Sequence, residues 1–471
     1  MAATADSQPC NRCKEHDATL LDLRTERVCR TCFATFVSSK IIKRLEVLQR
    51  ETRGVRLPSR PQRYLLALSL GPSSTALLAV LAQNLARQRQ RGQRAKFELV
   101  VAHVSTSSSE GEEGEEEGDG NEVRDIARFR AAFPAVEIAV LPLSRLLTPE
   151  YRHLIAWSAL PPLAPEDALP PPQRLSDLLS RLPSASSRAD VTRLLTRHLL
   201  IAHAARSGCD VLLLGYNTTA LAELTLAETA KGRGRGLPWL VNDGMWPLPR
   251  SLDAADVTDG EEETGASADT TTTISSSPNE RPGRTSSLPI YSPLRDLFRK
   301  ELLLYLRHPP DASAATGSSS GSSPDTPPNP LPSLFPPSIL DPSLHPRPSV
   351  ISHKDLSIDA VMSRYFADVE ASYPSVVANV VRTTGKLRRE DDGHGAVGEA
   401  ERATSSSSRC GLCGTGLDAE GDARWKGEIG ETDLATETET ETERSGSGDG
   451  NGGASRSRAN LCYGCERSVR G

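Results

Sequence analysis

The 471-residue chain carries 55 basic and 61 acidic side chains, a formal net charge of −6, and only 4% aromatic residues. No apolar run reaches the length that a membrane-spanning helix requires, and the N-terminus lacks the apolar core of a signal peptide. We therefore expect a cytoplasmic protein without membrane association. Nine cysteines in such a protein indicate metal binding rather than disulfides.

Five tracts are too polar, or too rich in Pro, Gly and Ser, to form a hydrophobic core. They are residues 105–122, 253–288, 310–350, 388–409 and 430–458. We expect these tracts to be disordered insertions and linkers. Roughly 280 residues then remain to fold, which suits one α/β core with small appendages.

The N-terminal cysteines have the spacing of a metal site. Cys10, Cys13, Cys29 and Cys32 form the pattern C-x2-C-x15-C-x2-C. Each C-x2-C turn directs two thiolates at one point, and the intervening residues bring the second pair back. Four soft thiolates suit structural zinc, although an iron–sulfur cluster uses the same ligands. A basic amphipathic helix over about 33–52 follows.

Short apolar runs alternate with helical patterns through the middle of the chain. We predict strands at 64–70, 97–104, 136–143 and 210–217, and helices at 73–91, 188–207 and 219–230. Continuous apolar strands separated by helices are typical of a parallel sheet covered on both faces. Ligands of such sheets lie outside the carboxyl ends of the strands. A single cysteine, Cys209, precedes the last of these strands and is predicted to be a buried structural residue.

The turn after the first of these strands has some features of a phosphate-binding loop. In SLGPSST (69–75) the small residues Ser69, Gly71, Ser73 and Ser74 precede a predicted helix. Small residues and a helix N-terminus favour binding of a phosphate group. Ser73 or Ser74 is equally suited to be an ordinary helix N-cap.

The C-terminal cysteines repeat the metal-site pattern with a longer separation. Cys410 and Cys413 pair with Cys462 and Cys465 across 48 residues. Closing the longer loop costs only about 1 kcal/mol more than a 15-residue loop. The cost is small beside the free energy of zinc binding in such sites. A cross-pairing of the N-terminal and C-terminal cysteines remains open, because it requires only that the two ends meet.

Three segments together resemble the PP-loop ATPases, also described as adenine nucleotide alpha hydrolase-like proteins. The turn SLGPSS resembles their S-G-G-x-D-S loop, and GYNTTALAELTLAETAKGRG (215–234) resembles their second motif, G-H-N-x-D-D-x-A-E-T. YSPLRDLFRKELLLY (291–305) is similar to a third segment. With VVRTTGKL (380–387) and paired cysteines at both ends, the chain resembles the family of partner subunits of the cytosolic tRNA thiolase.

The resemblance implies a domain order along the chain. It comprises a four-cysteine zinc module with its helix (1–56), a degenerate PP-loop core (57–308) with insertions at 105–122 and 253–288, a disordered linker (309–350), a helical segment (351–390) and a C-terminal zinc ribbon with an insertion (408–467). It also adds Gly215 and Asn217 to the candidate nucleotide-binding residues.

The resemblance further implies a function in sulfur transfer. The family is required for 2-thiolation of the wobble uridine in the tRNAs for lysine, glutamate and glutamine, where 5-methoxycarbonylmethyl-2-thiouridine forms. A thiocarboxylated ubiquitin-related modifier supplies the sulfur, and a sister PP-loop subunit, the heterodimer partner, binds ATP and performs the chemistry. The sequence leaves open whether the modifier is also conjugated to proteins through this complex.

Departures from the family motifs predict the loss of independent catalysis. Leu70 replaces the first glycine of the loop and is expected to oppose a positive φ. Ser73 replaces its aspartate, and Thr219 and Ala220 replace the two acids of the second motif. A persulfide or disulfide relay needs two thiols, and the core offers only Cys209.

The remaining roles are binding roles. Lys231, Arg233 and Arg235, separated by glycines, are candidates for phosphate contacts with tRNA, or form an ordinary surface turn. Trp239 is a candidate for stacking on a base, although a core tryptophan is the commoner case. Two alternatives to a partner subunit stay open: a self-sufficient adenylating tRNA thiolase, and a zinc-ribbon RNA-binding adaptor.

Overall fold

The computed structural model describes most of the chain. The described residues are 9–15, 20–52, 60–107, 119–249, 287–310, 329–341, 356–389, 409–417 and 461–471. Within these ranges, no helix combines the length and apolarity needed to cross a membrane.

The N-terminal module consists of a hairpin and a long helix. Strands β1 (Leu20–Leu23) and β2 (Glu26–Cys29) pair antiparallel. Helix α1 (Arg30–Thr52) begins directly after Cys29, three residues earlier than predicted. Its buried side chains recur every three or four residues, which places them on one face of the helix. They are Phe33, Ala34, Val37, Ile41, Leu45 and Leu48.

The core is a six-stranded sheet in the order β5-β4-β3-β6-β8-β7. Its strands are β3 (Gln62–Ala67), β4 (Phe97–Ser105), β5 (Ile138–Pro142), β6 (Val211–Leu213), β7 (Gly244–Pro247) and β8 (Ser287–Tyr291). All neighbours pair in parallel except β7, which runs antiparallel to β8 at one edge. The predicted parallel α/β core is confirmed. Because β4 and β5 lie on one side of β3 and β6 lies on the other, the strand order reverses between β3 and β6.

Helices cover both faces of this sheet, as the alternation of side chains along β3 shows. Leu66 packs into a cluster with the buried faces of α1, α2 and α9, whereas Leu65 packs into a cluster with α5 and α6. The helices are α2 (Pro72–Gln90), α3 (Asp119–Ala132), α4 (Pro149–Arg152), α5 (Pro171–Ser180), α6 (Ala185–Arg206), α7 (Thr218–Ala230), α8 (Leu237–Val241) and α9 (Arg299–Arg307).

The structure corrects the predicted boundaries of two insertions. Ser105 is the last residue of β4, and α3 already begins at Asp119 inside the predicted 105–122 insertion. Strand β8 begins at Ser287, inside the predicted 253–288 insertion. Both strands gain partners in the sheet, which outweighs the polar composition around them. Tracts 388–409 and 430–458 lie outside the described residues, apart from Arg388, Arg389 and Arg409 at the edges of the first.

The predicted linker 309–350 contains a folded segment, which is a second correction. Residues 329–341 form a 3-10 helix (Leu331–Leu334) and helix α10 (Pro337–Leu340). Four apolar side chains from this segment are buried in the main core, namely Leu331, Leu334, Phe335 and Leu340. Proline and serine dilute these residues in the sequence, so the tract average conceals them.

The C-terminal part adds three helices. Helices α11 (Ile358–Ser372) and α12 (Pro374–Thr384) lie in the predicted helical segment and pack against α7 in a third apolar cluster. Helix α13 (Tyr463–Arg470) begins at the last cysteine pair.

Candidate functional site

The loops that follow β3 and β6 meet where the strand order reverses. The structure brings together all six predicted nucleotide-binding residues at this point. Asn217 donates from Nδ2 to Ser73 Oγ at 2.7 Å, and its Oδ1 accepts from Ala220 N to cap α7. A Cβ on Gly215 would lie 3.0 Å from Ser74 Cα, so only glycine permits this close approach of the two loops.

Leu70, which stands where the family motif has glycine, adopts the left-handed conformation. Its φ is +58°, which contradicts the expectation that leucine forbids this geometry. A side chain in this region costs about 1–2 kcal/mol, so the surrounding fold imposes the conformation. Leu70 is partly buried against the main apolar cluster, and this packing offsets part of the strain.

The hydroxyl groups of the loop bond to one another and to the loop backbone. Ser74 Oγ donates to Gly71 O at 3.1 Å and accepts from Ser69 N at 3.3 Å and from Ser69 Oγ at 3.1 Å. Residues 69–75 contain no charged side chain, and Pro72 has no N–H to offer. The loop therefore keeps the shape of a phosphate loop but supplies fewer donors and no charge.

The second motif is tied to neighbouring segments through Thr218 and Thr219. Thr219 donates its hydroxyl proton to Glu370 of α11 at 2.6 Å, and Glu370 also accepts from Lys300 N at 2.9 Å. Thr218 donates to Arg295 O at 2.7 Å, which fixes the third segment on the start of α7. Thr219, which stands at an acid position of the family motif, therefore makes a structural contact here.

Cys209 is remote from these loops, at the amino end of β6. It is buried, as predicted, and burial raises the pKa of its thiol to about 11. The phosphate loop follows the carboxyl end of β3, which runs parallel to β6, so the loop and Cys209 lie at opposite ends of the strands. A protonated thiol at that distance is unsuited to sulfur transfer at the loop.

The N-terminal cysteines come together beside the β1–β2 hairpin. The sulfur atoms of Cys10, Cys13, Cys29 and Cys32 all lie within 4.8 Å of one another. Cys10 Sγ accepts from Cys29 N at 3.1 Å, and Cys29 Sγ accepts from Cys32 N at 3.4 Å. Such N–H donors stabilise thiolates and fix the direction of the ligands.

The C-terminal cysteines form the second group, despite their separation in the sequence. The sulfur atoms of Cys410, Cys413, Cys462 and Cys465 also lie within 4.8 Å of one another, so the predicted pairing is confirmed and cross-pairing between the ends is excluded. Cys410 Sγ accepts from Cys462 N at 3.3 Å. Three of these four cysteines are buried in the cluster beneath α6.

Both cysteine groups fit a single tetrahedral ion. Thiolates at about 2.3 Å from zinc stand about 3.8 Å apart along a tetrahedron edge. The Cys13–Cys29 and Cys413–Cys462 sulfur pairs are 3.8 and 3.7 Å apart. All eight cysteines are free thiols rather than disulfides. The donor set therefore suits a metal that prefers soft ligands.

The turn predicted to contact tRNA phosphates has a different role at two of its three positions. Lys231 and Arg233 are buried, with 6% and 2% of their surfaces exposed. Arg233 bonds Asp190 at 2.5 Å and Glu228 at 2.6 Å, and Lys231 bonds Asp359 at 2.7 Å. We therefore correct this prediction for Lys231 and Arg233, because neither side chain is accessible to phosphate. Arg235 is exposed, and for it the phosphate contact stays a prediction.

These residues belong to a buried cluster of alternating charges, which we call the charge cluster. Its cations are Arg193, Lys231 and Arg233, and its anions are Asp190, Glu228 and Asp359. Burial alone would raise the pKa of Asp190, but Arg233, Arg193 and Lys231 hold it well below its usual value. Burial alone would also raise the pKa of Glu228, but Arg193 and Arg233 lower it. Both acids are therefore carboxylates at neutral pH.

The charge cluster also contacts the C-terminal cysteines. Arg233 Nη1 lies 3.8 Å from Cys465 Sγ, and Ser468 donates to Asp190 at 2.7 Å. Sequence reasoning missed Asp190, which lies far from the turn in sequence and in an ordinary helical pattern. Its only signal was an acid on the buried face of α6.

Trp239 is a core residue, in agreement with the commoner expectation. It is 9% exposed and packs edge-on against Trp246 with ring centroids 5.9 Å apart. The guanidinium groups of Arg389 and Arg409 lie 4.6 and 5.1 Å from its ring. Its ring is therefore occupied, and the stacking role is not available to it.

The fold and the loops define a class. The protein has a parallel α/β sheet of the nucleotide-binding type, with a phosphate loop that lacks the expected acids and a four-thiolate group at each end of the chain. Comparison with known proteins identifies the family within this class.

The family model described as "Cytoplasmic tRNA 2-thiolation protein 2" matches residues 357–467. A protein of that name from Phaeosphaeria nodorum is 30% identical over 475 residues, covering 99% of this chain and 96% of the relative. Another from Pyrenophora tritici-repentis is 29% identical and covers 99% of this chain and 95% of the relative. A third, from Sclerotinia sclerotiorum, is 31% identical over 79% of this chain and 80% of the relative. The chain belongs to the cytoplasmic tRNA 2-thiolation protein 2 family.

Among solved structures, the chain is similar to the U34-tRNA thiolase NcsA from Methanococcus maripaludis, described with its [4Fe-4S] cluster. The identity is 14% and the TM-score is 0.44, over 86% of this chain and 95% of that protein.

Proposed function

We propose that this chain is the non-catalytic subunit of a heterodimeric cytosolic tRNA thiolase. It would act in 2-thiolation of wobble uridine in the tRNAs for lysine, glutamate and glutamine, with sulfur from a thiocarboxylated ubiquitin-related modifier. The sister PP-loop subunit would bind ATP and adenylate the uridine. This chain would supply the docking surface and part of the tRNA-binding surface.

The observation that carries the proposal is a phosphate loop without its reactive groups. Leu70 keeps the loop geometry at φ +58°, whereas Ser73 and Thr219 stand where the family motifs have acids. Magnesium and ATP need carboxylates and charge that this loop lacks. Cys209, the one cysteine outside the two metal groups, is buried with its pKa raised to about 11.

We further propose that each cysteine group holds one structural zinc ion. The eight cysteines would be the ligands, and the metal would fix the two chain ends on the core. The spacing of the sulfur atoms supports a single ion in each group. Elemental analysis of the purified chain should give close to two zinc atoms per molecule. Iron with a visible absorption band would contradict zinc.

Reconstitution tests the proposed division of labour. The full chain and its sister subunit are purified separately, and ATP-dependent thiolation of an anticodon stem–loop is measured for each and for the mixture. We expect activity only from the mixture. Thiolation by this chain alone would support the self-sufficient enzyme instead.

Gly71→Ala and Cys209→Ser sharpen this test. A Cβ at Gly71 would meet Ser69 Oγ at 3.4 Å, an ordinary contact, so the variant should fold. We expect both variants to support the full rate in the mixture, because neither residue takes part in the chemistry. A large loss with Gly71→Ala would indicate that this loop binds ATP.

An independent zinc-ribbon adaptor is the weaker alternative. Cys410, Cys413 and Cys465 are buried in the same apolar cluster as α5 and α6. A module that shares its core with the sheet is poorly suited to bind RNA after the core has been removed.

A further inference from the structure

A cavity of about 670 Å³ lies outside the carboxyl ends of β6 and β8. Three separate parts of the chain form its walls. Helix α1 contributes one face, the segments after β6, α8 and β8 contribute the floor, and the end of α12 contributes the opposite wall. The volume is in the range that holds one nucleotide.

The wall from α1 is one face of that helix. Lys40, Arg44, Val47 and Glu51 recur every three or four residues, so all four side chains point to the cavity. Their apolar neighbours on α1 pack on the sheet. The basic amphipathic helix seen in the sequence therefore divides into a core face and a cavity face.

The cavity lining has an excess of positive charge in a protein that is acidic overall. Six basic side chains line it against three acidic ones. The cations are Arg24, Lys40, Arg44, Arg295, Arg382 and Lys386, and the anions are Glu51, Asp243 and Asp296. A local net charge of +3 within a chain of net charge −6 makes this cavity a place where anions concentrate.

The acids of the lining already have partners: Asp243 and Asp296 pair with cations of the lining, and Glu51 pairs with a tyrosine hydroxyl group. Asp243 bonds Arg44 at 2.5 Å and Arg295 at 3.1 Å. Glu51 accepts from the hydroxyl group of Tyr291 at 2.7 Å. Arg24 pairs with Glu301 at 2.9 Å. In the part of the chain that the structure describes, no carboxylate forms an ion pair with the remaining three cations, which stand at the rim. These are Lys40, Arg382 and Lys386.

One polar residue of the lining, Asn242, has a fixed amide. Asn242 donates from Nδ2 to Thr384 O at 3.0 Å and to Leu387 O at 3.1 Å, which fixes the orientation of its amide. Its Oδ1 is buried and, among the described residues, has no hydrogen-bond donor. The two bonds from Nδ2 join the floor of the cavity to the end of α12.

Positive charge continues beyond the cavity on both walls. Lys43 is exposed on α1 beside Lys40, and Arg388 is exposed two residues after Lys386. A free mononucleotide needs one cluster of cations, whereas a polynucleotide needs cations spaced along its backbone. The extended arrangement favours a strand of RNA.

We infer that this cavity and its rim bind single-stranded RNA, with one nucleotide inside and flanking phosphates on Lys40, Arg382 and Lys386. RNA as the ligand rests on the proposed function in tRNA thiolation. The N-terminal module then has a direct role, because α1 carries one wall of the site.

The test uses the metal-loaded full chain with the three rim cations changed together to glutamine, as Lys40→Gln, Arg382→Gln and Lys386→Gln. The matched control changes three exposed arginines at the amino ends of the strands, as Arg89→Gln, Arg91→Gln and Arg94→Gln. The probe is a labelled anticodon stem–loop, titrated over a range of salt concentrations. Thermal unfolding and circular dichroism verify that both variants fold.

We expect the rim variant to bind the RNA roughly 10- to 100-fold more weakly at 0.1 M salt. The slope of log K against log salt concentration should fall by about 2 in magnitude, because three phosphate contacts are lost. The control should keep the affinity of the unchanged chain. Equal affinities of rim variant and unchanged chain, or an equal loss in both variants, would overturn the inference. A titration of the rim variant and the unchanged chain with ATP tests whether the cavity binds a free mononucleotide instead. Loss of ATP binding in the rim variant, with unchanged RNA binding, would also overturn the inference.

Failure of this inference is distinguishable from failure of the proposed function. The rim variant and the unchanged chain are each mixed with the sister subunit, and the KM for the stem–loop is measured. A raised KM with an unchanged kcat is expected. A mixture that thiolates normally with the rim variant contradicts only the binding site, whereas an unchanged mixture without activity contradicts the function.

Discussion

The two cysteine groups have the same ligands and the same sulfur spacing, but they are attached to the protein in different ways. The N-terminal group sits on the β1–β2 hairpin, where Cys10 and Cys29 are buried in the main apolar cluster and Cys13 and Cys32 are partly exposed. Besides this apolar packing, Arg24 bonds Glu301 at 2.9 Å and Arg30 bonds Pro309 O at 2.7 Å.

The C-terminal group is built into the core itself. Gly411 O accepts from Ala156 N at 2.9 Å, and Arg233 contacts Cys465. His198 donates from Nε2 to Leu412 O at 2.9 Å, and burial lowers the pKa of this imidazole to about 4, which keeps the ring neutral. The difference teaches that equal metal sites contribute unequally to stability when their surroundings differ. The N-terminal site stabilises a module attached to the core, whereas the C-terminal site is part of the core.

Removal of single ligands should show the largest contrast between the two groups. Cys465→Ser should lower the unfolding temperature of the core by about 10 °C or more, because metal binding and burial are lost together. Cys13→Ser should release one metal but leave the main transition nearly unchanged. Calorimetry with elemental analysis measures both effects. Equal shifts in the two variants would contradict the contrast.

Loss of the cation that joins the charge cluster to the C-terminal group should have the next largest effect. Arg233→Met leaves Asp190 buried without its main partner and Glu228 without one of its two arginine partners. We expect a loss of about 3–5 kcal/mol in the free energy of unfolding. The matched control is Arg235→Met, an exposed change expected to stay within about 0.5 kcal/mol. Denaturant unfolding gives both values. Similar losses in the two variants would show that the buried ion pair of Arg233 and Asp190 contributes little to stability.

Substitution of Gly464 should weaken the docking of α13. A Cβ there would lie 2.5 Å from Lys231 O, a backbone atom that cannot move aside. We expect Gly464→Ala to cost about 1–3 kcal/mol. Gly416→Ala is the control, because a Cβ at Gly416 meets no atom within 4 Å. Comparable stability of the two variants in thermal unfolding would argue against tight docking at this point.

Acid should destabilise the charge cluster by protonating Asp190 and Glu228. Near neutral pH we expect little effect. The pKa values of Asp190 and Glu228 are lowered in the folded protein, so their stabilisation is complete above their unfolded values near pH 4. It is lost progressively as pH falls below about 5, because protons then bind the unfolded chain first. The free energy of unfolding, followed from pH 7 to pH 3, should decline less steeply in Arg233→Met. An identical slope in the variant and the unchanged chain would assign the acid sensitivity to other groups.

Local patterns in the sequence were sufficient for much of the fold. The spacing of the cysteine pairs predicted both four-thiolate groups, because a C-x2-C turn fixes the two sulfurs whatever surrounds it. Continuous apolar runs predicted the parallel sheet, since strands buried on both faces have no polar side. The strand-turn-helix at 64–80 predicted the loop, although leucine at position 70 gave the wrong expectation for its backbone.

Averages over a tract were the weakest guide. Residues 329–341 were assigned to a linker because proline and serine dominate 309–350, yet Leu331 and Phe335 are buried in the core. A few large apolar side chains bury enough surface to hold such a segment on the core, even where small polar residues outnumber them.

The sequence by itself determined the metal ligands, the class of the sheet and the missing acids of the nucleotide loop, because each depends on residues close together in the chain. Only the tertiary structure decided which charges face water. Lys231 and Arg233 meet Asp190 across about 40 residues and are buried, while α1 and α12 bring unneutralised cations to one cavity from opposite ends of the chain. Charge is visible in a sequence, but its partner and its solvation are set by packing between distant segments.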